Sequence, residues 1–152
     1  MKKLFLIITF LAISLLGEEV QITADSFQAD EINKISTFEG NVEITKGKDK
    51  IEAKKLVILF DKNNKPIKYT AEGNPKFKFF IKDKEYEGKA DKIIYTPNDG
   101  KYLLIGNVFV VEKTENRKIY GDRLELDKKS GKIKISGGKN KPVKFIFKVQ
   151  EK

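Results

Sequence analysis

The chain has 152 residues, no cysteine, no histidine and 31 Lys+Arg against 22 Asp+Glu, a formal net charge of +9. That composition excludes a disulfide scaffold, thiol catalysis, zinc–thiolate sites and any Ser-His-Asp or Cys-His arrangement. The length suits one domain, whose stability has to come from a packed core.

The first predicted element is MKKLFLIITFLAISLLG, with Lys2 and Lys3, an apolar run over 4–16 and then Gly17. This is a secretory signal layout. The run of 13 residues falls short of the ~20 that span a bilayer as a helix. The expectation is a signal peptide over 1–17, cleaved after Gly17, and a single exported domain over 18–152.

From Glu18 onward the chain reads as strands. ITADSF (22–27) comes first, then TFEGNVEI (37–44) and IEAKKLVILF (51–60). TAEGNPKF (70–77) and YEGKADKIIY (86–95) repeat that pair, and LLIGNVFV (103–110) with IYGDRLEL (119–126) repeat it again. KIKIS (132–136) and PVKFIFKV (142–149) complete the series. Clusters of Lys, Asn, Asp, Gly and Pro at 46–50, 61–66, 82–85, 97–100, 113–118, 127–132 and 137–142 supply the reversals. No window after Gly17 carries a helical period, so the fold class is all-β.

A Gly-Asn pair recurs at 40/41, 73/74 and 106/107, a step of 33 residues, and Gly137-Gly138 extends the series. Glycine inside a strand marks a bend or a close backbone approach. The partner strands pivot at Ala24/Phe27, Ala53/Leu56, Ala90/Ile93 and Gly121/Leu124. A spacing of three breaks the two-residue period, so a bend there is needed to keep both halves facing inward. Each unit is therefore a hairpin that turns a corner. Stacked units give two facing sheets from one continuous meander.

Alternation assigns an inward face. It comprises Ile22, Phe27, Phe38, Val42, Ile44, Leu56, Ile58, Phe60, Phe77, Phe79, Ile93, Tyr95, Leu104, Val108, Val110, Leu124, Leu126, Ile135, Phe145 and Phe147, with Ala24, Ile51, Ile81, Ile119 and Val143 beside them. Such a face suits the dry core of a sandwich and equally a groove for acyl chains. The outward neighbours are rich in Lys, which keeps strand edges soluble and also attracts anionic partners. Only Arg117 and Arg123 are arginines. Without an Arg stripe or an aromatic RNA-binding motif, nucleic acid is not an expected partner. The first strand (20–27) and the last (143–149) are the expected free edges.

The ordered series EGNVEI with IEAKKLVILF, EGNPKF with EGKADKIIY, and IGNVFV with YGDRLEL resembles the LptA/OstA family of lipopolysaccharide-transport proteins. ITADSFQAD (22–30) is similar to that family's opening strand. The resemblance implies an open antiparallel β-jellyroll, two sheets in a V, with lipid A acyl chains bound between them. It further implies a periplasmic location, end-to-end self-association, and docking to LptC-like and LptD-like proteins carrying the same domain. It implies no cofactor and no enzyme activity. Pro75 departs from the pattern, where the other units have Val42 and Val108. Three other readings stand beside this one: a membrane-anchored LptC-like component, a structural or adhesive β-repeat protein, and a carboxylate-only hydrolase.

Overall fold

The computed structural model describes residues 19–149, so the expected signal peptide and its cleavage point lie outside the described residues. Twelve strands form one antiparallel system: β1 (Val20–Thr23), β2 (Ser26–Asp30), β3 (Ile35–Lys46), β4 (Asp49–Phe60), β5 (Pro66–Glu72), β6 (Lys76–Ile81), β7 (Lys84–Lys89), β8 (Lys92–Thr96), β9 (Lys101–Glu112), β10 (Arg117–Asp127), β11 (Lys132–Ser136) and β12 (Lys144–Ile146).

The pairing makes sense once four of these strands are seen as long and bent. β3, β4, β9 and β10 run unbroken through a corner, whereas β1/β2, β5/β6, β7/β8 and β11/β12 are the two halves of interrupted strands. Each half pairs with the matching half of its sequence neighbour. β5 lies between β4 and β8 on one side of the corner, and β6 lies between β4 and β7 on the other. The predicted meander is thus present, folded over a line of corners into two arms. Arm one holds β1, β6, β7, β12 and the corner-to-turn halves of β3, β4, β9 and β10 that reach Lys46, Asp49, Glu112 and Arg117. Arm two holds β2, β5, β8, β11 and the other halves. Among the described residues no strand pairs β1/β2 to β11/β12, so the sheet has two free edges.

The corners follow from the Gly-Asn pairs. In β3–β4 the register passes from Glu39↔Lys55 to Val42↔Ala53, so Gly40 and Asn41 together oppose Lys54. Two residues against one is a β-bulge, which bends the strand. Both bulge residues are left-handed, with φ of 82° at Gly40 and 47° at Asn41, and 81° and 47° at Gly106 and Asn107. Asparagine tolerates this region because its short amide bonds locally, whereas glycine meets no Cβ penalty there. A Cβ on Gly40 would also lie 2.5 Å from Asp25 Oδ2. The inward face therefore steps by four across the bulged strands (Phe38 to Val42, Leu104 to Val108) and by three across their partners (Ala90 to Ile93), and both halves reach the core.

Most predicted inward residues are buried, with Phe38, Val42, Leu56, Ile58, Phe79, Ile93, Leu104 and Val108 the most enclosed. Phe27, Phe60, Tyr95 and Ile135 are partly buried against them. Pro75 is fully buried immediately after the Gly73-Asn74 bend, in the place of the inward valines, and its carbonyl accepts the Ala90 N–H at 3.2 Å. The inward assignment fails at the last strand. Phe145 and Phe147 are 49% and 55% exposed, and Val143 is exposed too. The reason is geometric: β12 has three residues and pairs with β10 alone, at the rim of its arm, where no other described strand covers it.

Candidate functional site: the interior between the arms and its mouth

The corners close one side of the interior. Each Ala-Asp or Gly-Asp pivot lies against a Gly-Asn or Gly-Gly bend. The Asn41 amide donates to Asp25 Oδ2 at 2.8 Å, and the Asp25 N–H donates to the Gly40 carbonyl at 2.8 Å. Two repeats later, the Asn107 amide donates to Asp91 Oδ2 at 3.0 Å, and the Asp91 N–H donates to the Gly106 carbonyl at 2.8 Å. The fourth bend repeats the approach, because a Cβ on Gly138 would lie 2.9 Å from Asp122 Oδ2. In the second unit Lys54 takes the aspartate's place over Gly73. Sequence reasoning found the small pivots and the glycines but not the aspartates that join them. The A-D or G-D at 24/25, 90/91 and 121/122 was the available signal.

Between the arms lies a ladder of rings. Tyr69, Tyr95 and Tyr102 of arm two follow one another at centroid distances of 5.7 and 4.5 Å. Tyr102 meets Phe79 of arm one at 4.6 Å, and Phe79 stacks on Phe77 at 4.7 Å. Burial first, and then neighbouring Tyr95, push the Tyr69 phenol up to about 12. Tyr102, Tyr69 and Ala71 were not among the predicted inward residues, although the two-residue period back from Leu104 reaches Tyr102.

Little space remains in this interior. One cavity of about 40 Å³ is bounded by Ile44, Leu56, Ala71 and the tyrosines, and a second of about 20 Å³ by Ile81, Tyr86, Leu104, Val110, Leu124, Leu126 and Ile133. Phe79 borders both. A water molecule takes about 30 Å³ in the liquid, so neither cavity admits an acyl chain with the arms as they stand. The interior is a closed apolar core here, and a chain enters only if arms or side chains part.

The other side of the interior is the mouth, where the turns of the two arms meet. Lys46 Nζ donates to the Tyr95 hydroxyl at 3.0 Å and lies 4.9 Å from that ring's centroid. Lys128, in the β10–β11 turn of arm two, forms an ion pair with Asp49 at the start of β4 in arm one. Asp49 Oδ1 also accepts the Phe80 N–H at 2.9 Å, continuing the β4–β6 ladder where β4 ends. Asp49 is 7% exposed and Glu112 3% exposed, so two carboxylates point inward at the arm-one end. Glu112 Oε2 accepts the Glu115 N–H at 2.6 Å, while its buried Oε1 accepts no hydrogen bond. The two-residue period from Val108 and Val110 reaches Glu112, whereas Asp49 sits in the turn cluster KGKDK and its partners Phe80 and Lys128 lie 31 and 79 residues away.

The outer faces are different. Lys50, Lys78, Lys92 and Lys113 pair with Glu43, Glu52, Glu72 and Glu87 at 3.2–3.6 Å, all substantially exposed. Exposed pairs of this kind contribute little stability, and they fit the solubilising role of a Lys-rich surface. Among the described residues no cluster of three or more acidic side chains is placed to hold a metal ion.

Residues 21–132 match the family model described as LptA/(LptD N-terminal domain) LPS transport protein. No curated protein matches the chain. Among solved structures, the chain is similar to LptH of Pseudomonas aeruginosa, described as the LptA homologous periplasmic component of the conserved lipopolysaccharide transport device. That likeness has a TM-score of 0.77 at 15% identity and covers 87% of this chain and 96% of the other. At that identity the structural likeness establishes the jellyroll fold, while the family match spans most of the chain, from β1 to the start of β11. The chain belongs to the LptA/(LptD N-terminal domain) family of LPS transport proteins.

Proposed function

We propose that this protein is a periplasmic lipopolysaccharide carrier that shields lipid A acyl chains between its two arms and passes them along a bridge of like domains. The observation that carries the reading is the continuous apolar interior, enclosed by two arms of a sheet that is not closed on itself. Moving acyl chains from water into such an interior is favourable by about 0.8 kcal/mol per CH₂. The phosphorylated sugar stays outside, near lysines. No bond is made or broken, so the reading needs no catalytic residue and no cofactor. The periplasmic location of the P. aeruginosa protein and the signal-like start of this chain support the compartment.

The free edges support the bridge. Among the described residues, β1/β2 and β11/β12 each leave one side unpaired, ready for a strand of a second copy or of an LptC-like or LptD-like domain. An exposed edge is a hazard that proteins usually cover. Phe145, Ile146, Phe147 and Val149 are exposed beside the last edge, so end-to-end stacking would cover apolar surface as well.

Photo-crosslinking groups placed at Phe79 and Val108 test the reading. Both positions are enclosed in the lipid-free chain. With lipopolysaccharide added, the expected result is glycolipid crosslinked at both, with the complex intact in native mass spectrometry. Lipid bound without crosslinks at either would place it elsewhere and remove the carrier reading. For the bridge, deleting 143–152 should lower the concentration-dependent mass seen by light scattering, and an unchanged mass would count against that edge.

A further inference from the structure

Two polar contacts span the mouth, and both join groups far apart in the chain: Lys46 with Tyr95, and Asp49 with Lys128. The turns around them touch as well, since a Cβ on Gly131 of arm two would lie 3.6 Å from Lys82 Cε of arm one. Lys46, Asp49 and Tyr95 also line the larger of the two cavities, together with Ile44, Phe79 and Tyr102. The entrance to the apolar interior is thus held by two lysines, each with an exchangeable partner.

We propose that these four residues form a clasp, and that Lys46 and Lys128 exchange Tyr95 and Asp49 for an anionic group of the incoming phosphorylated glycolipid as the arms part. The lipid half of this statement rests on the carrier reading above. The chemistry favours exchange. A phosphate oxygen is as good an acceptor for a lysine ammonium as a carboxylate. Lysine serves as a point charge on a flexible stem, so it can follow its new partner outward. Asp49, once released, keeps the Phe80 N–H and gains water. A neutral amphiphile offers the lysines nothing in return, so the clasp discriminates by headgroup charge before any acyl chain is buried. The structure thereby assigns headgroup selection to the mouth, because Lys46 borders the apolar interior and Lys128 ties the two arms together there, whereas outer-face lysines such as Lys50, Lys78 and Lys92 pair with glutamates on the solvent side.

The test uses the full mature chain and two kinds of ligand. Asp49→Asn keeps an acceptor for the Phe80 N–H and removes only the charge. Lys128→Met removes the ammonium and keeps an apolar stem. Uptake of a neutral apolar dye, N-phenyl-1-naphthylamine, reports opening without any headgroup. Binding of lipopolysaccharide and of its dephosphorylated form, by native mass spectrometry, reports selection. Asp49→Asn and Lys128→Met should each speed dye uptake roughly tenfold, the equivalent of about 1.4 kcal/mol. Lys128→Met and Lys46→Met should each cut the preference for the phosphorylated lipid by about the same factor. The chain has no cysteine of its own, so Asp49→Cys/Lys128→Cys joined by a short bis-maleimide should block both dye and lipid. Lipid binding that persists in the crosslinked chain, or variants with wild-type uptake and wild-type preference, would overturn the clasp while leaving the carrier reading intact. A wild-type chain that admits dye but never lipid would overturn the headgroup exchange together with the carrier reading, even if Asp49→Asn still changed dye uptake.

Discussion

The corners and the mouth of this fold are built from different kinds of contact. At the corners, a left-handed Gly-Asn pair meets an aspartate at the pivot of the neighbouring interrupted strand, and the Asn41–Asp25 arrangement recurs two 33-residue steps later as Asn107–Asp91. At the mouth, a lysine meets a tyrosine and another lysine meets an aspartate, each once, across 49 and 79 residues of sequence. The corner contacts combine backbone conformation with side-chain hydrogen bonds, so they change only if the chain refolds. The mouth contacts are made by long side chains that can let go. The proposed carrier would use this contrast, a stiff spine at the corners and a releasable clasp at the mouth.

Gly106→Val is expected to have the largest effect among single changes that separate the two regions. It puts a β-branched residue at φ 81° and drives its Cβ into Asp91. A loss of about 3 kcal/mol or more is expected, read by urea denaturation. If it costs no more than Asp49→Asn at the mouth, for which about 1 kcal/mol is expected because Lys128 stays partly solvated, the contrast between spine and opening disappears.

Asp91→Ala comes next. It removes the acceptor of the Asn107 amide and leaves the Gly106 bend in place. About 1–2 kcal/mol should be lost, with dye uptake unchanged. A double-mutant cycle with Asn107→Ala should show coupling between the two, and additive losses would mean that the aspartate does not brace the corner.

The effect that shows only at alkaline pH concerns Tyr69, in the ladder of rings behind the clasp. Its phenol titrates at about 12 against an ordinary 10.0, chiefly through burial. Between those values the unfolded chain has lost the proton and the folded chain still holds it. Its contribution is therefore complete below pH 10 and is lost as pH rises toward 12. Tyr69→Phe should remove about 2 kcal/mol of that alkaline loss, as the difference between wild-type and variant denaturation curves from pH 9 to 12. Equal curves would mean that Tyr69 is hydrated and that the interior behind the clasp is wet.

The same contrast explains what could be read from the sequence. The corners were legible because they are local and repeated: Gly40, Gly73 and Gly106 in register, and Ala90 three residues before Ile93, together specify bent hairpins in a meander. Most of the inward face followed from alternation, from Ile22 to Leu126. Phe145 and Phe147 alternate just as well and are nevertheless exposed, because alternation gives a strand's two faces and not whether another arm covers them. The mouth was illegible for a related reason. Asp49 sits in KGKDK and Lys128 in DKKSGK, both of which read as solvated turns. Only the folding of one arm over the other brings them together.

The most direct test of a stiff spine with a releasable mouth is a pair of distances measured in one chain type, with and without lipopolysaccharide. Because the chain lacks cysteine, spin labels can be placed at Lys48 and Lys129 across the mouth, and in a second sample at Lys54 and Lys89 beside the corners. Pulsed electron–electron resonance should show the Lys48–Lys129 distance lengthen and broaden on lipid addition, while the Lys54–Lys89 distance stays the same. A mouth distance that does not change although lipid is bound would contradict opening at the mouth and place the lipid outside the two arms.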